Sequence, residues 1–69
     1  MNNVIAQRIK EIRLENNLTQ FQLGEKLSVS QDTISLWEKG KSIPTVEYII
    51  LICKLFCVSS DYLLGLTDY

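Results

Sequence analysis

Apolar positions recur along this chain at helical spacing and nowhere sustain the alternation of a strand. Ile5, Ile9 and Ile12 repeat at i, i+4, i+7 and predict one buried stripe on a first helix over residues 3–16, which Asn17 closes as a left-handed stop. Leu23 and Leu27 mark the inward side of a second helix, from 20 to 26 or 27. Ile34 and Trp37 do the same for a third, from 31 to 38 or 39, ended by Gly40. Residues 41–44 form a loop, because Pro44 blocks helix continuation. A fourth helix is expected over 46–56, with Val46, Ile49, Ile52, Cys53 and Phe56 as its core stripe. A short fifth helix covers 60–64 and stops at Gly65. The expected fold class is therefore all-α, a compact five-helix domain over residues 1–69.

The helix starts carry their own signals. Thr19 is an N-cap, and Gln22 three residues later completes a capping box. Leu18 before the cap and Leu23 after it form a hydrophobic staple. The same pattern recurs at Val29, Ser30 and Ile34 and at Val58, Ser59 and Leu63. Gly24 lies inside the second helix, at a cost of about 1 kcal/mol relative to alanine. Its placement predicts that the third helix crosses there with no space for a Cβ; alanine, which favours helix, is nonetheless expected to be tolerated, and leucine is not.

Composition narrows the function classes. Sixty-nine residues suffice for one small domain, without a deep enzyme pocket beside the core. There is no histidine, no cysteine paired with a base and no glycine-rich phosphate loop, so no enzyme, cofactor or small-molecule ligand is expected. Cys53 and Cys57, at i, i+4, cannot complete a four-ligand zinc site in one chain and are expected to pack as buried apolar groups. The first fifteen residues lack an apolar signal region, and the eleven-residue apolar stretch 48–58 is too short to span a bilayer. A reducing, cytoplasmic setting is expected. Net charge is −1, but residues 1–44 carry six Lys/Arg against five Asp/Glu and residues 45–69 one against three. The half holding the helix pair is thus marginally positive, and binding to a polyanion would lean on geometry and helix dipoles.

The segment 19–40 reads as two short helices joined by a tight turn. Together with Leu18-Thr19-Gln20, Leu23-Gly24, Leu27, Val29-Ser30, Thr33-Ile34-Ser35, Trp37-Glu38-Lys39-Gly40, Pro44 and the closing Val58-Ser59, Asp61-Tyr62-Leu63-Leu64-Gly65, it resembles the phage repressor/Cro type of helix-turn-helix, also called the xenobiotic-response-element family. The resemblance runs from Ile5 to Gly65 and implies a lambda-repressor-like fold that binds double-stranded DNA as a transcriptional regulator of the repressor kind.

The resemblance also implies roles for residues. The third helix would face base edges with Gln31, Asp32, Ser35 and Leu36. Glutamine pairs with adenine, aspartate accepts from cytosine N4, serine meets either kind of edge and leucine meets a thymine methyl. Gln20 would contact a phosphate and brace Gln31, with Thr33, Lys39, Lys41 and Ser42 as further phosphate contacts. Arg13 and Glu38 would form an ion pair between the first and third helices. Two positions depart from the family pattern: Leu36 stands where Arg, Lys or Gln is common, and Asp32 sets a negative charge near phosphates.

Tyr48, Leu51 and Leu55 fall at i, i+3, i+7 on a second face of the fourth helix, extended by Tyr62, Leu66 and Tyr69. Such a stripe predicts a homodimer on a palindromic operator. The other reading is that the C-terminal tail folds over the stripe within one chain. A different function, a protein-interaction module holding a partner as antitoxins of this family hold a toxin, suits the acidic pI of about 5.2.

Overall fold

Hydroxyl side chains cap three of the five helices by hydrogen bonds in the computed structural model, which describes residues 3–68. Thr19 accepts from the Gln22 amide, and the Gln22 side chain returns the bond to the Thr19 N–H, starting α2 (Gln20–Leu27). Ser30 caps α3 (Gln31–Glu38) through the Thr33 amide, and Ser59 caps α5 (Ser60–Leu64) through the Tyr62 amide. Each cap satisfies an amide that the helix itself leaves without a partner. α1 (Val4–Glu15) and α4 (Val46–Phe56) begin without a side-chain cap bond. Among the described residues there is no strand, and no helix is long and apolar enough to cross a membrane.

Left-handed residues end the helices. Asn17, as expected, has φ 57°, and Gly40 and Gly65 have φ 74° and 83°. Ser28 and Cys57 adopt the same region at φ 60° and 57°, without the freedom of glycine.

α1 lies against α3 and α5, α2 against α3 and α4, and α4 against α5. Ile9, Ile12, Leu23, Leu27, Ile34, Trp37, Ile52 and Leu63 make the buried centre, with Ile5, Ile49, Cys53 and Phe56 half-buried around it. Ala6 joins this side of α1; its small side chain gave no periodic signal.

Two expectations about α4 are corrected. Val46, the first residue of α4, is 71% exposed. Tyr48 takes its place: the ring is half-buried, with its centroid 5.4 Å from that of Trp37 and tilted by 53°. Cys57 is a third correction, exposed at the left-handed C-cap rather than packed, while Cys53 is half-buried. Burial pushes the Cys53 thiol above its ordinary range.

The tail after α5 turns toward α1. Arg8 donates to the carbonyls of Tyr62 and Thr67, the latter at 2.7 Å, and its guanidinium lies 4.2 Å from the Tyr62 ring centre. The idea that the tail covers the α4 stripe is not what the described residues do; Leu51 and Leu55 stay exposed.

Candidate nucleic-acid interface

The turn between α2 and α3 is built from backbone contacts. Ser28 reverses the chain, and the Val29 amide donates to the Gly24 carbonyl at 2.9 Å. A Cβ on Gly24 would stand 2.6 Å from the Val29 carbonyl oxygen. The close neighbour is therefore the turn leading into α3, not the body of α3 as expected. Since the contact is with backbone, alanine does not fit without displacement either, which corrects the expectation of tolerance.

α3 turns Ile34 and Trp37 fully inward. Gln31, Asp32 and Leu36 are exposed on its other side, and Ser35 and Thr33 are half-buried. Gln31 and Ser35 form one i, i+4 row, Asp32 and Leu36 the neighbouring one. The Thr33 hydroxyl lies 3.0 Å from the Ser30 hydroxyl, within the cap.

The far end of α3 is clamped. Arg13 donates from Nε and Nη2 to the two oxygens of Glu38, and from Nη1 to the Leu18 carbonyl at 2.9 Å. The pair is almost wholly enclosed, with the side chains 11% and 4% exposed. The Gln20 side-chain amide donates to Glu38 Oε1 at 3.2 Å. Gln20 thus braces Glu38, where Gln31 was expected as its partner. This four-residue network has no counterpart in periodicity; only the Arg13–Glu38 pairing was legible, through the resemblance.

Beyond the clamp, Lys39 and Lys41 are exposed and Ser42 is half-buried. The amides of Lys41 and Ser42 fold back to the Leu36 carbonyl at 2.9 and 3.3 Å. That places two cationic side chains on the loop that follows the exposed face of α3.

The residues expected at a dimer contact are not one surface. Leu51 and Leu55 are exposed together, and Ile50 beside them, which periodicity missed, is exposed as well. Tyr48 is turned toward Trp37 and Tyr62 lies under Arg8. Leu66 is exposed after α5, and Tyr69 lies outside the described residues.

Comparison with known proteins agrees with this architecture. The chain is 45% identical over 59 residues to the HTH-type transcriptional activator BcrR of Enterococcus faecalis, covering 86% of this chain and 29% of that protein. It is 32% identical over 62 residues to antitoxin PezA of Streptococcus pneumoniae, covering 90% of this chain and 39% of PezA. The crystal structure of the P22 c2 repressor with a synthetic operator superposes with a TM-score of 0.78 at 32% identity, covering 86% of this chain and 89% of that one. The chain spans 29–56% of the length of the first curated relatives it matches. Residues 9–63 match the helix-turn-helix family across most of the chain, and with these likenesses to regulators and a phage repressor the protein belongs to that family in its phage repressor/Cro form.

Proposed function

We propose that this protein binds double-stranded DNA sequence-specifically and regulates transcription, with α3 as the reading helix in the major groove. One observation carries the reading. α3 has an inward side that is completely buried, an end locked by Arg13 and Glu38, and an outward side where the side chains of Gln31, Asp32 and Leu36 are exposed. A rigidly held helix with free hydrogen-bonding side chains is what base-edge recognition needs.

In this reading Gln31, Asp32, Ser35 and Leu36 meet base edges. Lys39, Lys41, Ser42, Thr33 and the N-terminus of α2 at Gln20 meet phosphates. α3 itself, Gln31–Glu38, carries no Arg or Lys, the side chains that most often donate bidentately to guanine O6 and N7. Function here is binding, not catalysis. Two copies reading two half-sites of a palindromic operator would offset the weak field of a −1 subunit. The two free cysteines suit a reducing cytoplasm. BcrR is an activator and P22 c2 a repressor, so what such relatives share is the grip on DNA rather than the sign of regulation.

Selection of bound sites from random duplexes tests the proposal. The expected result is one enriched motif whose binding weakens steeply with salt. A second reading, a module that holds a protein partner, is favoured by the likeness to antitoxin PezA. Selection that enriches no motif, with no salt-dependent binding to duplex DNA, would leave that reading in place.

A further inference from the structure

The exposed positions of α4 are Val46, Glu47, Ile50, Leu51, Lys54 and Leu55. The helical spacing alone makes this set symmetrical about the point between Ile50 and Leu51. The chemistry need not follow, yet it does. Reflected through that point, Glu47 falls on Lys54, Ile50 on Leu51 and Val46 on Leu55. Every acid has a base as its counterpart and every apolar residue an apolar one. Glu47 and Lys54 lie about 10 Å apart along the axis and within about 20° of each other around it, so both sit on the midline of the face. Glu47, Ile50, Leu51 and Lys54 also line a single groove with Thr45 and Tyr48.

A face with this symmetry is complementary to itself. We propose that α4 binds α4 of a second copy, antiparallel, about a two-fold axis passing between Ile50 and Leu51. Glu47 of each copy then meets Lys54 of the other at both ends of the contact. Ile50 and Leu51 fill the middle, and Val46 and the partner's Leu55 flank the contact on the same side. The contact is isologous, so each favourable pair occurs twice. The chain's own tail does not compete, because Arg8 holds Thr67 at α1. A partner of one charge sign would be repelled at one end of the face. The contact extends beyond the DNA reading and does not depend on it.

Charge exchange tests the register. In sedimentation equilibrium without DNA at low salt, the wild-type chain should dimerise as concentration rises from micromolar to hundreds of micromolar. Glu47→Lys alone and Lys54→Glu alone each set like charges opposite one another twice, and should weaken self-association by about tenfold. An equimolar mixture of these two variants should recover wild-type association or exceed it, because each chain then supplies what the other lacks. Glu47 also lies in the first turn of α4 and Lys54 in the last, where they complement the helix dipole. That role would be damaged in both variants and would not be repaired by mixing. If a reversed chain fails to fold, as read by circular dichroism, Glu47→Gln and Lys54→Gln replace it, each expected to weaken association by about threefold. A wild-type chain monomeric throughout would overturn the proposal. So would a mixture that associates no better than either variant, or glutamine variants that associate like wild type. A protein that dimerises in this way but ignores DNA would overturn the DNA reading alone.

Discussion

Arg13 holds both oxygens of Glu38, with Nε 2.7 Å from Oε2 and Nη2 3.0 Å from Oε1, and so ties the last turn of α1 to the last residue of α3. Removing the arginine leaves an enclosed carboxylate with only the Gln20 amide for company. Arg13→Ala should therefore destabilise the domain by about 3 kcal/mol, more than Glu38→Gln, after which the Arg13 guanidinium still has the Leu18 carbonyl and the new amide oxygen as acceptors. Urea unfolding followed by the fluorescence of Trp37, the lone tryptophan, measures both. Equal losses for the two variants would mean that the charge itself is not what the clamp shields.

Gly24 faces the Val29 carbonyl at a distance no Cβ tolerates. Gly24→Ala should lower stability by about 1 kcal/mol, the contact outweighing a helix-propensity gain of similar size. Gly24→Leu should unfold the domain or displace the turn. A thermal melt of the alanine variant at or above the wild-type midpoint would show that the turn yields freely.

Under the proposed reading, Gln31→Ala should cost about 1–3 kcal/mol of DNA affinity and relax preference at one base pair. Lys41→Ala should weaken all duplexes alike and reduce the salt slope by about one. Fluorescence anisotropy against the selected site and its single-base variants separates the two. Indifference to both changes would remove α3 as the reader.

Arg8 ties α5 and the chain after it to α1 through the Tyr62 and Thr67 carbonyls and its stacking on Tyr62. Arg8→Leu keeps the apolar stem but loses both bonds, at a cost of about 1–3 kcal/mol. Amide exchange should quicken at Leu63 and Leu66, whose amides bond to Ser59 and Asp61, while Val29 in the turn keeps its protection. Uniform quickening across all three would argue against a local role.

The two cysteines should differ in reactivity. Cys57 is exposed, whereas Cys53 is half-buried and burial disfavours its thiolate. Limiting iodoacetamide near neutral pH should therefore label Cys57 first, and Cys53 should catch up only as pH rises. Peptide mass mapping that finds Cys53 labelled first would reverse this assignment.

Much of the fold was legible because the cues are local. Thr19, Ser30 and Ser59 each announce a helix within four residues, and Asn17, Gly40 and Gly65 announce the ends. α4 was harder. It is apolar on nearly all sides, so periodicity could not choose between Val46 and Tyr48 as the residue under the core; the neighbouring aromatic Trp37 decides it. Cys57 and Ser28 in left-handed backbone escape any reading that looks for glycine. Arg8 was missed because its partners are backbone carbonyls 54 and 59 residues away, and a carbonyl has no sequence signature. In the candidate site, the outward residues of α3 followed directly from the inward ones. The meeting of Gln20 with Glu38 required knowing how α2 is placed over the end of α3.

The network of Arg13, Gln20 and Glu38 has a thermodynamic consequence for any encounter with DNA. It orders α3 when the chain folds, so no helix has to form at the groove. The conformational entropy of that helix is already spent, which favours affinity. Calorimetry on a duplex should then return a heat-capacity change accounted for by the buried contact alone, without the larger negative contribution that marks a segment folding as it binds.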